Sequence, residues 1–207
     1  MKRKLICLSL SAFLAASGAM PAFAATSAVS FQDLQGNWAE EAALYCAEKG
    51  LMQGYNGNFR PADHLSRAEM AAVIVRSLGL TEETDLTAYS DIDASSWYYS
   101  DMSKAVAAGI FQGSGDKLNP GADITREEAF TVFARAYQLE ADLSVLERFR
   151  DSDQISAWAR DSVSAMVRKG WIEGSDGALK PKNPISRGEL AQIFYNGGND
   201  MTPSSGG

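Results

Sequence analysis

Residues 38–69 read WAEEAALYCAEKGLMQGYNGNFRPADHLSRAE, and this stretch decides the fold because the chain spells its pattern three times. Trp38, Trp97 and Trp158 are each followed twelve residues later by a glycine (Gly50, Gly109, Gly170). A proline follows at twenty-three residues (Pro61, Pro120, Pro181) and an arginine at twenty-nine (Arg67, Arg126, Arg187). No insertion falls inside any of the three spans. Repetition this strict, at a period of about sixty residues, means one supersecondary unit copied in tandem.

Working outward, the stretch from each tryptophan to its glycine predicts a helix of about three turns. Its apolar face runs through Ala43, Met102 and Val163, then Ala47, Val106 and Val167, a spacing of four. The glycines fit the left-handed position past a helix end. Next come the glycine-bearing loops 51–57, 110–116 and 171–177, where paired apolar residues suggest very short strands. Phe59, Leu118 and Leu179 are expected to plug each loop onto the core. Asp116 stands where the other copies have Gly57 and Gly177, so the second loop must turn differently. The quartets Ser66-Arg67-Ala68-Glu69, Thr125-Arg126-Glu127-Glu128 and Ser186-Arg187-Gly188-Glu189 are capping boxes opening a second helix. Gly188 weakens the last of these by roughly 0.5–1 kcal/mol.

Two short helices bury little apolar surface alone, so the three units are expected to share a core. The domain reading is a signal peptide over 1–24, a linker over 25–30, units over 31–80, 89–139 and 149–196, and a disordered tail over 197–207. Lys2, Arg3 and Lys4, the apolar run Leu5–Ala16, and Ala22-Phe23-Ala24 match an export signal with its cleavage site. No other segment is expected to cross a membrane. Removing residues 1–24 takes the formal charge from −7 to about −10, which argues against nucleic acid as a partner. Cys46 would then be the single cysteine; its column also holds Ala105 and Met166, so it reads as a small buried hydrophobe.

Each unit opens on an aromatic-x-Asp step, Phe31-Gln32-Asp33, Tyr89-Ser90-Asp91 and Phe149-Arg150-Asp151. That step, then Trp, helix, Gly, a glycine loop, Phe/Leu-x-Pro and Ser/Thr-Arg-x-Glu, resembles the S-layer homology domain in triplicate over residues 31–196. The resemblance implies a mainly α fold of three helix–loop–helix repeats in a pseudo-threefold single-chain bundle, with very short strands or turns between helices. It also implies noncovalent binding of bacterial secondary cell-wall polysaccharide, often carrying a pyruvate ketal, in grooves between units, and so a place at the cell surface.

The residues support an anionic ligand in their own right. Arg67, Arg126 and Arg187 stand at the first helical position, where the dipole disfavours a cation. A guanidinium fork beside free helix amides suits a carboxylate. The alternative is a salt bridge to the same unit's Asp33, Asp91 or Asp151, and both roles are compatible. Trp38, Trp97 and Trp158 read as mixed, stacking on sugar but mainly packing the core. Gly54, Gly113 and Gly174 either admit the ligand to the loop backbone or simply make the turn. Tyr55 against Ser114 and Ser175 predicts unequal grooves.

No catalytic role, cofactor or metal is expected: His64 has no partner at metal-ligand spacing. Two other functions compete with glycan binding. One is an adaptor recruiting another exported protein to the wall. The other is a glycan hydrolase using Asp91 with Asp93 or Glu127 with Glu128, pairs that otherwise read as solvated surface.

Overall fold

The computed structural model describes residues 29–201, so the expected signal peptide lies outside the described residues. Six α-helices follow in order: α1 Glu40–Glu48, α2 Arg67–Leu78, α3 Tyr99–Ala107, α4 Arg126–Ala136, α5 Arg160–Arg168 and α6 Arg187–Gly197. Short 3-10 helices lie at Leu143–Arg148, Ser152–Gln154 and Gly198–Met201. Helices α2, α4 and α6 start on complete capping boxes at Ser66, Thr125 and Ser186. Gly50, Gly109 and Gly170 follow the first helices with φ of 69°, 70° and 76°, the left-handed closure expected of them.

The units do not pack as isolated hairpins. The second helix of each copy lies against the first helix of the next: α2 on α3, α4 on α5 and α6 back on α1. This cyclic pairing makes the mainly α, pseudo-threefold bundle. On its axis Leu65 donates its amide to Ile185, Ile185 to Ile124 and Ile124 to Leu65, at 2.9–3.2 Å. All three side chains are fully buried. Around them Met70, Ile74, Phe130, Phe133, Leu190 and Phe194 from the second helices form one continuous core. Three interlocked amphipathic units thus bury a surface that none would cover alone.

Four details differ from the sequence reading. The short strands reduce, among the described residues, to isolated bridges such as Tyr55 with Asn58, and the apolar pairs 51–52, 110–111 and 171–172 follow the helix ends as bends or coil. The segments joining the units, which a polar composition would suggest are mere spacers, carry buried Leu86 and Leu146. Ser103 and Ser164 clip them to α3 and α5 by accepting the amides of Thr84 and Asp142. The tail does not begin at 197, because Gly198–Met201 turns back and buries Met201 beside Gly197. Finally, Gly188 is not a gratuitous weakness. A Cβ there would meet the Pro61 carbonyl at 3.0 Å and the rings and methyls of Trp38 and Ala39 at 3.1 Å.

Candidate functional site

The loop after each first helix is set by three residues acting together. Asp33 accepts the amides of Phe59 and Arg60 at 2.8 and 2.6 Å. Asp91 does the same for Leu118 and Asn119 (3.0 and 2.7 Å), and Asp151 for Leu179 and Lys180 (2.9 and 2.7 Å). The clamped residues Arg60, Asn119 and Lys180 all hold a left-handed backbone, with φ of 60°, 52° and 52°. Non-glycine residues adopt that conformation only when neighbours enforce it. Partial burial pushes the Asp33 carboxyl up, but the two amides, with Arg187 nearby, outweigh it and hold it below the usual carboxylate range. The aspartates therefore build the loop.

Phe59, Leu118 and Leu179 are fully buried behind it, as expected. At the tip, Asn56-Gly57 and Asp176-Gly177 each place two residues at positive φ, whereas in the second unit only Gly115 does so. Asp116 thus forces the different turn foreseen for that copy. Gly54, Gly113 and Gly174 are required by packing. A Cβ at any of them would fall 2.4–2.6 Å from the carbonyl of Asn58, Lys117 or Ala178.

The arginines cross between units. Arg67 donates from Nε to the Leu118 carbonyl (2.8 Å), from one terminal nitrogen to Glu128 (2.8 Å) and from the other to the Gln112 carbonyl (2.9 Å). Arg126 reaches the Leu179 carbonyl at 2.7 Å and Glu189 at 2.6 Å. Arg187 reaches the carbonyls of Phe59 (2.8 Å) and Gln53 (2.7 Å). Salt bridges to the same unit's aspartate do not form. The helix-start amides are not free either: Arg67, Arg126 and Arg187 donate theirs to Ala122, Asn183 and Asp63 of the following unit. The helix-start amides are therefore not left unpaired for an anion, contrary to the expectation. Burial lowers the Arg126 guanidinium below its usual range, against the opposing pull of Glu189 and Asp151.

Two grooves result. The first, of about 470 Å³, has Arg67 from unit one, Phe111, Gly113, Ser114 and Asn119 from unit two, and Trp158 from unit three. The second, of about 500 Å³, has Arg126 from unit two, Gly174, Ser175 and Lys180 from unit three, and Trp38 from unit one. Every groove wall is thus drawn from all three copies. Trp38, Trp97 and Trp158 are 63%, 67% and 56% exposed, so they are not core plugs. Trp171, by contrast, is buried. Each groove thus brings an exposed aromatic face, a guanidinium and glycine-loop backbone together around one open surface.

The carboxylate pairs considered for hydrolysis are all committed elsewhere. Asp91 clamps its loop, and Asp93 accepts the Ser95 amide at 2.8 Å. Glu128 closes its capping box and holds Arg67. Glu127 is not solvated surface: it is buried and bound to Lys182 at 2.5 Å and to the Ser156 amide at 2.9 Å. Among the described residues no helix is long and apolar enough to cross a membrane. Cys46 is a buried free thiol, pushed up to about 12 by burial, in keeping with its reading as a small hydrophobe.

The residues that sequence reasoning missed are Glu128 and Glu189, the arginines' partners, and the left-handed column Arg60, Asn119 and Lys180. The column's place immediately before an invariantly spaced proline was the available signal.

The S-layer homology domain pattern matches residues 30–71, 88–130 and 148–191. A surface-layer 125 kDa protein of Lysinibacillus sphaericus is 34% identical over 198 residues, covering 93% of this chain and 17% of that protein. An exoglucanase, XynX, of Acetivibrio thermocellus is 31% identical over 81% of this chain and 16% of its own length. The S-layer protein sap of Bacillus anthracis is 25% identical over 93% of this chain and 24% of its own length. The chain thus spans a quarter or less of each of these relatives.

Proposed function

The chain belongs to the S-layer homology domain family, and on that premise we propose that it is a noncovalent anchor whose inter-unit grooves grip an acidic polysaccharide of the bacterial cell wall. Family membership makes it a binding module of the cell surface. The observation that carries the finer reading is the recurrence of one constellation in two grooves, with arginine, glycine loop and exposed tryptophan each supplied by a different copy. Exposed indoles offer flat apolar faces that pyranose C–H surfaces match. The largely buried guanidinium groups of Arg67 and Arg126 that line the two grooves suit a carboxylate such as a pyruvate ketal. Several moderate grooves on one repeating polymer add through effective concentration.

The test is co-sedimentation with isolated wall sacculi, before and after chemical removal of the attached polymer. Binding is expected only before stripping, and a Trp38→Ala, Trp97→Ala, Trp158→Ala variant is expected to stay in the supernatant with its helical content unchanged. Sedimentation with stripped sacculi, or full binding by the triple variant, would overturn the proposal. Release of reducing sugar would point to hydrolysis instead.

A further inference from the structure

Two adjacent residues on the first turn of α4 reach opposite walls of the first–second groove. Glu128 takes Arg67 of unit one at 2.8 Å. That guanidinium also donates to the carbonyls of Leu118 and Gln112 and lies 5.1 Å over the ring of Phe111, so its pose is over-determined. Glu127 reaches the other way, into unit three. One of its oxygens accepts the Ser156 amide at 2.9 Å and the other the Ser156 hydroxyl at 2.9 Å. Ser156 in turn accepts the Ala159 amide at 2.9 Å, closing the turn that carries Trp158. Ile155 and Ala159 are buried on either side of that turn. Lys182 completes the brace, donating to Glu127 at 2.5 Å and to the Ser156 hydroxyl.

Neither of the other copies can build this brace. The column of Glu127 holds Ala68 and Gly188, and that of Lys182 holds Ala62 and Gly121. Trp38 and Trp97 follow turns tied within their own units: Asn37 accepts the Ala39 amide at 3.0 Å, and Asp93 the Ser95 amide at 2.8 Å. In the second–third groove Glu189 still holds Arg126, but Gly188 puts no side chain beneath Trp38. A buried carboxylate costs free energy unless every lone pair is met. A slot that Ala68 or Gly188 fills without charge does not need one in order to pack.

Resting on the function proposed above, we infer that Glu127 and Glu128 are a positioning pair that holds the Trp158 indole and the Arg67 guanidinium at one fixed span, and that this span makes the first–second groove the selective one. Neither carboxylate has to touch the sugar to do this. The indole is ordered before a ligand arrives, so a ligand that matches the span binds without the cost of ordering it, and one that does not match cannot pull the wall to itself. The second–third groove has only the Arg126 half of the device and is the more permissive.

The test begins without ligand, from 15N relaxation of backbone amides 156–158 and of each indole N–H. These amides are expected near an order parameter of about 0.85, falling below about 0.6 in Glu127→Ala, with the Trp158 indole loosening alongside. Glu127→Gln keeps an acceptor and is expected to keep Trp158 ordered. Ser156→Ala, which leaves the amide bond and the lysine pair, is expected to loosen it in part. The Trp38 and Trp97 indoles are expected to stay unchanged throughout. Equal loosening of all three indoles, or an ordered Trp158 in both alanine variants, would overturn the positioning role. Selectivity is read by titration with two probes that place the acid differently against the ring, a methyl glycopyranoside carrying a pyruvate ketal and the methyl glycoside of a uronic acid. Amides 112–114 are expected to separate the probes by about tenfold in the parent chain and by less than about threefold in Glu127→Ala, while amides 173–175 keep one ratio in both proteins. An unchanged ratio at 112–114 would overturn the selectivity. No shift with either probe would overturn the anchoring function and the selectivity built on it, whereas the relaxation result judges the positioning role by itself.

Discussion

The seam between the second and third units and the seam between the third and first units share one backbone and solve it with opposite chemistry. At the first of these, the second residue of α4 is Glu127, buried and held by Lys182 and Ser156. At the other, the same position is Gly188, lying under the indole of Trp38 and against the Pro61 carbonyl. The remaining copy has Ala68, fully packed and apolar. Position within the repeat fixes where a residue sits, but not how the contact is stabilised. A polar latch, a methyl and an absent side chain all fit the same slot because each neighbour changed with it.

The largest effect should come from removing the latch. Glu127→Ala gives the second–third seam the residue of the first–second seam. It is expected to destabilise the chain by about 2–3 kcal/mol, less than a fully buried pair because half-exposed Lys182 rehydrates. Urea unfolding measures this, and a loss under about 0.5 kcal/mol, the range of ordinary surface substitutions, would break the comparison. Next in size is Gly188→Ala. Its helix gain of roughly 0.5–1 kcal/mol is expected to be outweighed by overpacking, for a net loss of about 1 kcal/mol. A shift in Trp38 emission should accompany it, and a gain in stability with unchanged emission would show that the indole does not need the gap. The smallest effect is a pH dependence. Asp33 titrates lower in the folded chain, so its contribution is complete above about pH 4, its unfolded range, and is lost as pH falls through the folded value. Asp33→Asn should flatten that part of the stability–pH curve, and an unchanged curve would remove the aspartate from the account of the loop.

Sequence carried the local chemistry well. Capping boxes, left-handed glycines and the altered second turn around Asp116 are all decided within a few residues, and the structure has them where the pattern put them. What it hid was whether contacts run within a copy or between copies. Arg67 with Asp33 and Arg67 with Glu128 are equally consistent with a period of about sixty residues, since every column exists three times. Only the cyclic packing of α2 on α3, α4 on α5 and α6 on α1 selects the second pairing. The tryptophans misled for a related reason: an aromatic at a helix start looks like a core plug unless one knows that the core lies along the opposite face. Glu127 did leave a trace, as the one charged residue in a column otherwise filled by Ala68 and Gly188.

The three amides that join Leu65, Ile124 and Ile185 on the axis form a loop without a first or last member. Strike out any one copy and the survivors are left with a donor at one rim, an acceptor at the other, and a wedge of bare aliphatic surface between them. A fragment of two copies would therefore be driven to recruit a third from another molecule, and the natural increment of such a module is the triplet.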